Sequence, residues 1–256
     1  MDFSNTEPES RKRIKLFDVP IDLIEKDSLI IQVERMIENG GSHYIMPINP
    51  IKIVATQKNE EFKRIIMNAN IVFPDAVGVR WALKILYGIR LRNTPGIDLM
   101  QDVLQLASRK GYRVYLLGTK QEIIEKALSI FSRSYSGVNF VGFNDGYFRD
   151  EERTEILRKI MDTKPHILLV GMGVFRQEKF IFETLAQGDI PFCMGVGGSF
   201  DVIAGAAPRA PDWLSALGFE WLYRLIRQPK RIKPMMALPK FAILVLKEKL
   251  SKRLTY

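Results

Sequence analysis

The sequence predicts an α/β fold, a mostly parallel sheet flanked by helices, with a C-terminal helical appendage. Strand-like apolar runs alternate with helix-like segments along most of the 256 residues, a pattern typical of a parallel sheet covered by helices. Two buried-strand patterns, 167–170 and 191–195, each run into a glycine-rich turn and then toward a helix. After Pro208 the alternation stops and only helix signals remain.

The elements follow in chain order from these patterns, with short apolar runs read as strands and longer periodic runs as helices. The first strand, 42–48, precedes a helix over 56–69, and the second, 71–73, precedes a helix over 77–87. The later predicted strands are 112–117, 138–143, 167–170 and 191–195, and the later predicted helices are 96–109, 120–131 and 150–161.

Polar residues and glycines follow the predicted strands. Parallel strands bring their carboxyl ends to one edge of the sheet, and ligands of open α/β sheets bind there. We therefore expect one site near these positions: Asn49, Asp75, Gly118, Asn144, Gly171 and Gly195.

The composition indicates a globular chain, because 46% hydrophobic and 26% charged residues are ordinary values. The single Cys193 excludes a disulfide framework, favours a reducing cytoplasm and is expected to be a core thiol. Residues 1–13 lack the apolar region of a secretory signal and are predicted to be a disordered lead-in. The predicted division is then an α/β domain over 14–207 and a basic, amphipathic appendage over 208–256.

The net charge of +9 is concentrated in the tail. Residues 209–256 hold 11 Lys and Arg against 3 Asp and Glu, whereas the rest of the chain holds 27 against 26. A near-neutral body argues against a nucleic-acid partner and favours a tail that meets phosphates.

Aromatic residues are interleaved with these basic residues at Trp213, Trp221, Tyr223 and Phe241. This combination is typical of a helix lying at an anionic membrane surface. The apolar runs of the tail are shorter than the ~20 residues that span a bilayer. We therefore expect a peripheral protein on the cytoplasmic, inner face of the cell membrane, the alternative being a solvated helix with an ordinary packing face.

The two glycine turns are candidate phosphate-binding loops, since a strand that ends in glycines and opens a helix presents unpaired backbone N–H groups. The residues concerned are Gly171, Gly173, Gly197 and Gly198. They are not a dinucleotide fingerprint, because Arg176 and Phe200 occupy the position of the third glycine.

Metal ligands and cofactor motifs are not evident in the sequence. There is no Asp-x-Asp, and the two histidines, His43 and His166, are far apart at strand starts, where structural roles are expected. No metal and no cofactor is therefore predicted. A bound diphosphate would be neutralised by Arg, Lys and helix N-termini.

Asp75 follows the apolar run IVFP and precedes the helix that begins near Val77. Its spacing alone favours a helix N-cap, and the functional alternative is a general base at the sheet edge. Gln177 and Glu178 lie in the first turn after Gly173, where on their own they are ordinary polar residues.

Several segments together resemble the WecG/TagA/CpsF glycosyltransferases (glycosyltransferase family 26). They occur in the family's order over roughly 40–235 and read IMPINPIKIV, NANIVFPDAVGV, TPGIDL, VYLLGTKQEIIEKA, VGFNDGYF, ILLVGMGVFRQEKFI, MGVGGSFDVIAG and RAPDWLSALGFEWLYRLIRQPKR. The resemblance implies a Rossmann-like α/β fold with a C-terminal appendage that docks on a membrane. It also implies an inverting transfer of a sugar from a UDP-sugar to a sugar on undecaprenyl diphosphate. The products would serve exopolysaccharide, teichoic acid or common-antigen synthesis.

The resemblance also implies roles for individual residues. Asp75 would be the general base that takes a proton from the acceptor hydroxyl, and Asn49 would orient substrate hydroxyls. Gln177 would hold the substrate. The remaining implied contacts are with the uridine, by Tyr147 and Asp201, and with the diphosphate, by Arg224 and Arg231.

Departures from the family pattern bear on the donor. Pro47 stands where most relatives carry Thr, Ala76 replaces a Gly, and Pro234 occupies a position commonly held by Arg. A hexosyl donor other than N-acetylmannosamine or its uronic acid is therefore a reasonable expectation. There are two alternatives to this enzyme: a non-catalytic scaffold that binds a sugar nucleotide, and a nucleic-acid-binding protein that uses the basic tail. A homo-oligomer is compatible with the sequence.

Overall fold

The structure is a computed structural model that describes residues 12–188, 190–211, 214, 220–227 and 232–254. Most of the predicted lead-in, 1–13, lies outside the described residues. Its last residue, Arg13, already begins the first strand, β1 (Arg13–Leu16), which pairs antiparallel with β2 (Val19–Asp22). This hairpin was not predicted, and neither was the helix that follows it, α1 (Lys26–Glu38).

The β1–β2 hairpin is attached to the main sheet through a buried carboxylate. Arg13 donates from Nε and Nη2 to the two oxygens of Asp22, each at 2.8 Å. The same carboxylate accepts from the backbone N–H of Val72 at 2.7 Å. A fully buried charge is tolerated when it is paired and hydrogen-bonded in this way.

The main sheet has six strands among the described residues, and every pairing in it is parallel. In chain order the strands are β3 (His43–Ile48), β4 (Ile71–Pro74), β5 (Arg113–Gly118), β6 (Asn139–Asn144), β7 (Ile167–Gly171) and β8 (Phe192–Gly195). Their spatial order is β4-β3-β8-β7-β5-β6. The predicted α/β fold with a parallel sheet flanked by helices is confirmed.

Helices connect the strands and cover the sheet. They are α2 (Pro50–Thr56), α3 (Glu60–Met67), α4 (Val77–Tyr87), α5 (Gly96–Lys110), α6 (Gln121–Ser134), α7 (Arg153–Asp162), α8 (Arg176–Leu185) and α9 (Ser199–Ile203), with a 3₁₀ turn at Asp150–Glu152. The helix predicted over 56–69 is present as the shorter α3, whereas α2 before it was not predicted. Asn59 starts α3 by accepting from the Phe62 N–H at 2.8 Å, as a good N-cap residue does.

Apolar cores lie on both faces of the sheet, since successive side chains of a strand point to opposite faces. Leu168 and Val170 belong to one core, and Ile167 and Leu169 belong to the other. Cys193 is fully buried, and that burial raises the pKa of its thiol. It is the core thiol that the sequence predicted.

The C-terminal region is helical, with α10 (Glu220–Arg227), α11 (Ile232–Met235) and α12 (Ala237–Leu254). The last helix packs against α2 and α4. Phe241, expected at a membrane surface, is instead buried, and its ring meets that of Phe17 edge-on at 5.9 Å between centroids. Within the described part of the chain, no helix has the length and apolar character needed to cross a membrane.

Candidate active site

A cavity of about 680 Å³ lies at the carboxyl ends of the central strands. Its floor comes from the residues that follow β3, β4 and β8, and its walls come from α4 and α12. This size falls in the usual range for small-molecule sites. The predicted site residues that line it are Asn49, Asp75, Gly173, Gln177, Gly197 and Gly198.

Asp75 lies half-buried directly after β4 and contacts the start of another helix. Its Oδ1 accepts from the backbone N–H of Gly96, the first residue of α5, at 2.5 Å. The N-cap of α4 is Ala76, without a side-chain hydrogen bond, so the prediction that Asp75 caps the following helix is wrong. The carboxylate thus lies at the N-terminal end of α5 and lines the cavity.

Asn49 is the N-cap of α2. Its Oδ1 accepts from the backbone N–H of Lys52 at 3.0 Å, and Pro50 occupies the first position of the helix. Asn followed by Pro is a strong local signal for a helix start. The cap fixes the Asn49 side chain at the cavity floor, with its amide N–H donors not used by the cap.

Gln177 joins two parts of the site. Its Oε1 accepts from the backbone N–H of Gly197 at 3.0 Å, and its Nε2 donates to Glu178 Oε1 at 2.7 Å. Its side chain therefore fixes the turn after β8. Direct substrate contact by Gln177 stays a prediction.

Glu178 and Lys52 form a buried ion pair beneath the cavity. Lys52 Nζ lies 2.9 Å from Glu178 Oε1 and donates to the carbonyl of Pro47 at 2.7 Å. Both side chains are almost fully buried, at 3% and 0% exposure. The sequence analysis named Glu178 but gave it no function, and it did not name Lys52. No pattern in the neighbouring sequence indicates that these two side chains form an ion pair.

The turn between β7 and α8 depends on the same carboxylate. Phe175 has φ +75° and ψ −48°, a γ-turn region that is strained for a residue with a side chain. Its backbone N–H donates to Glu178 Oε2 at 2.6 Å. Glu178 therefore stabilises this backbone conformation while its other oxygen binds Lys52.

The glycines differ in what they contribute. Gly173 and Gly197 have φ +83° and +55°, and a Cβ at either would meet no atom within 4 Å, so backbone conformation is what favours glycine. Gly171 is buried at the end of β7 outside the cavity lining, where a Cβ would lie 2.8 Å from the Gly197 carbonyl. Gly171 therefore allows the two turns to approach, and phosphate contact by these loops stays a prediction.

A second polar cluster lies farther along the same sheet edge, after β5 and β6. Thr119 Oγ1 donates to Asp201 Oδ1 at 3.0 Å, and the carbonyl of Thr119 accepts from the Gly146 N–H at 2.8 Å. Arg176 Nη2 donates to the Gly146 carbonyl at 3.2 Å. Tyr147 is 71% exposed beside this cluster. Of the two residues expected near a uridine, Asp201 therefore belongs to this cluster through Thr119, and Tyr147 directly follows its Gly146.

The side chains of the two tail arginines lie outside the described residues. The backbone of Arg224 belongs to α10 but its side chain is outside the described residues, and Arg231 is outside them altogether. Among the described residues of the lining, Lys52 is the only Lys or Arg, and it is already paired with Glu178. Described Asp, Glu, His and Cys residues form no group of three suited to a metal ion.

Comparison with known proteins gives a consistent result. The model of the Glycosyl transferase WecG/TagA/CpsF family matches residues 14–255. The chain is similar to the N-acetylglucosaminyldiphosphoundecaprenol N-acetyl-beta-D-mannosaminyltransferase of Bacillus subtilis, with 34% identity over 212 residues, 83% of this chain and 82% of the relative. It is 30% identical over 210 residues to the protein of the same name from Bacillus spizizenii, covering 82% of this chain and 80% of that one.

Proposed function

The chain belongs to the WecG/TagA/CpsF family of glycosyltransferases, and from this premise we propose that it inverts configuration while moving a hexosyl or N-acetylhexosaminyl group from a UDP-sugar. The acceptor is a sugar on undecaprenyl diphosphate, as the names of the two relatives indicate for them. The observation that carries the proposal is the Asp75 carboxylate in a cavity that also includes both glycine turns.

The order of the strands supports a donor and an acceptor that approach the reaction from opposite sides. Asp75 follows β4, whereas Thr119 follows β5, four strand steps away. At about 4.8 Å per step this is roughly 19 Å. The glycine turns after β7 and β8 lie between them. A nucleotide near Thr119 and Asp201, with its diphosphate at the turns, would direct the donor sugar toward Asp75, and the acceptor would approach from the β4 side.

The chemistry follows from this placement. Asp75 takes the proton of the acceptor hydroxyl as that oxygen bonds to the anomeric carbon. The bond from the anomeric carbon to the UDP oxygen breaks, and UDP leaves with the electron pair. Backbone N–H groups of the turns stabilise the growing negative charge. We assign the remaining neutralisation to Arg224 and Arg231 without a metal ion, because arginine binds phosphates through two parallel hydrogen bonds.

Turnover with a panel of UDP-sugars and a synthetic N-acetylglucosaminyl diphosphate lipid tests the proposal. UDP release should require the acceptor. Asp75→Asn should lower kcat by about 10²–10⁴-fold, the usual contribution of a general base, while UDP binding persists. Asp27→Asn is the matched control, since Asp27 is exposed on α1 outside the cavity. Unchanged turnover by Asp75→Asn would remove this residue from the mechanism, and UDP binding without transfer from any donor would favour a scaffold.

Peripheral attachment to the inner face of the membrane is part of the proposal. Ile243, Leu246 and Leu250 are 52–60% exposed on α12, in a tail rich in Lys and Arg. Deleting the whole appendage would also remove Phe241 from the core, so a triple Ser substitution at the three exposed positions is the cleaner variant. It should abolish co-sedimentation with vesicles containing phosphatidylglycerol and keep the wild-type melting temperature. Undiminished co-sedimentation would refute this surface.

A further inference from the structure

We propose that the walls of the cavity form a channel for the first isoprene units of the acceptor lipid, between α4 and α12. The proposal rests on the proposed function and adds a binding site for the hydrocarbon part of the substrate. Polyprenyl hydrocarbon is the occupant because the channel is continuous with the cavity that contains Asp75, where the acceptor sugar must bind.

One wall of the channel is a face of α4 that leads away from Asp75. The helix begins two residues after Asp75, and its residues Trp81 and Ile85, four positions apart, lie on one face. Both line the cavity although they are 58% and 45% exposed. At 1.5 Å per residue, Ile85 lies about 12 Å along the axis from the first residue of the helix.

The opposite wall is a face of α12. Leu238, Ala242 and Val245 recur at helical spacing and line the cavity, and Phe241 anchors the helix to the body. All the described lining residues from α4 and α12 are apolar. On α4 they also include Val77, Gly78 and Ala82.

Most of the polar lining residues lie on the floor instead, near the strand ends. They include Asn49, Asp75, Gln177 and Ser199. Sugar hydroxyls and phosphates lose free energy when buried without hydrogen-bond partners, whereas hydrocarbon gains on leaving water. The cavity is thus divided chemically, with a floor for the sugar and walls for the hydrocarbon.

The order of groups in the acceptor matches the order of surfaces in the cavity. With its reacting hydroxyl at Asp75, the acceptor continues through its sugar ring and diphosphate before the isoprene chain begins. The apolar face of α4 extends in the same outward direction, past Trp81 to Ile85. The first isoprene units therefore lie at the level of these two side chains.

The test measures binding and needs no donor sugar. N-acetylglucosaminyl diphosphates carrying one, two or three isoprene units are titrated into the full-length protein by calorimetry, without detergent or vesicles. For the wild type, Kd should fall about tenfold from one unit to three. Trp81→Ser and Ile85→Ser should each reduce this dependence to less than about twofold. Ile31→Ser is the matched control, because Ile31 is 49% exposed on α1 outside the cavity, and it should keep the wild-type dependence.

Three outcomes would overturn the channel: a wild-type Kd independent of chain length, a dependence that survives in both variants, or equal competition by a short-chain phosphatidylglycerol. The proposed function fails separately, if no UDP-sugar is consumed with any of these acceptors while the chain-length dependence of binding is intact.

Discussion

Lys52 Nζ and Glu178 Oε1 lie 2.9 Å apart, and this buried ion pair connects three loops of the cavity floor. Lys52 donates to the Pro47 carbonyl near the end of β3, and Glu178 accepts from the Phe175 N–H after β7. Through Gln177 the pair also reaches the Gly197 N–H after β8. The loops that surround the proposed reaction therefore share one electrostatic support.

Lys52→Met should destabilise the protein strongly, because it leaves the Glu178 charge buried without its partner. Removal of one member of a buried pair typically costs about 3–5 kcal/mol. Urea unfolding measures the loss. Lys159→Met, which removes a solvent-exposed pair with Glu155 at 2.8 Å, should cost much less. Equal losses in the two variants would contradict the role of the buried pair.

Thr119→Val should weaken UDP binding by about tenfold, since it removes the hydroxyl that donates to Asp201 and holds that carboxylate in the second polar cluster. A tenfold change corresponds to about 1.4 kcal/mol. Calorimetry with UDP gives the measurement. Thr163→Val, which removes a hydroxyl bonded to the Ile160 carbonyl outside both clusters, should leave the affinity unchanged.

Phe241→Ala should lower the free energy of unfolding by about 3–5 kcal/mol, the usual cost of truncating a buried phenylalanine. Phe241 is 5% exposed and meets Phe17 edge-on. Sugar transfer should fall as well, because α12 forms a cavity wall. Leu246→Ala, at a 60% exposed position of the same helix, should change stability little. Retained stability in Phe241→Ala would show that α12 does not depend on this contact.

His166 should make the protein less stable in mild acid. Burial, with a smaller effect of the Arg113 charge, lowers the pKa of His166 below its usual value, and its Nδ1 accepts from the Arg113 N–H at 2.9 Å. The unfolded chain therefore binds a proton at higher pH than the folded chain, so stability is lost as pH falls through about 6.5. The melting temperature of the wild type should drop more between pH 8 and pH 5.5 than that of His166→Gln. Parallel curves would exclude this histidine as the cause.

Hydrophobic periodicity predicted the strands well, because short apolar runs bounded by glycine and polar residues are too short for a helix and fit a buried strand. Each predicted strand has its counterpart within one residue at either end. Asn49 and Asp75 could be expected at one edge because both follow parallel strands. The alternation of strands and helices does not predict the order of the strands in the sheet. The ion pair between Lys52 and Glu178 depends on that order, so it could not be predicted either.

The N-terminal hairpin gave no usual turn signal. Phe17 and Asp18 have φ +53° and +63°, as in a two-residue turn that is normally formed by Asn-Gly. Phe17 is tolerated there because its ring packs on Phe241, a contact between distant parts of the chain. Thr119 was missed for a related reason, since only the fold brings its hydroxyl to Asp201.

The hairpin also protects an exposed border of the sheet. β4 is the outermost strand on its side, and an unshielded border of this kind can recruit a strand from another molecule. Asp22 accepts a hydrogen bond from the Val72 N–H, and Arg13 donates one to the carbonyl of Asn70. A chain shortened past Asp22 would offer these groups to its neighbours, so self-association into aggregates should be one consequence of trimming the N-terminus.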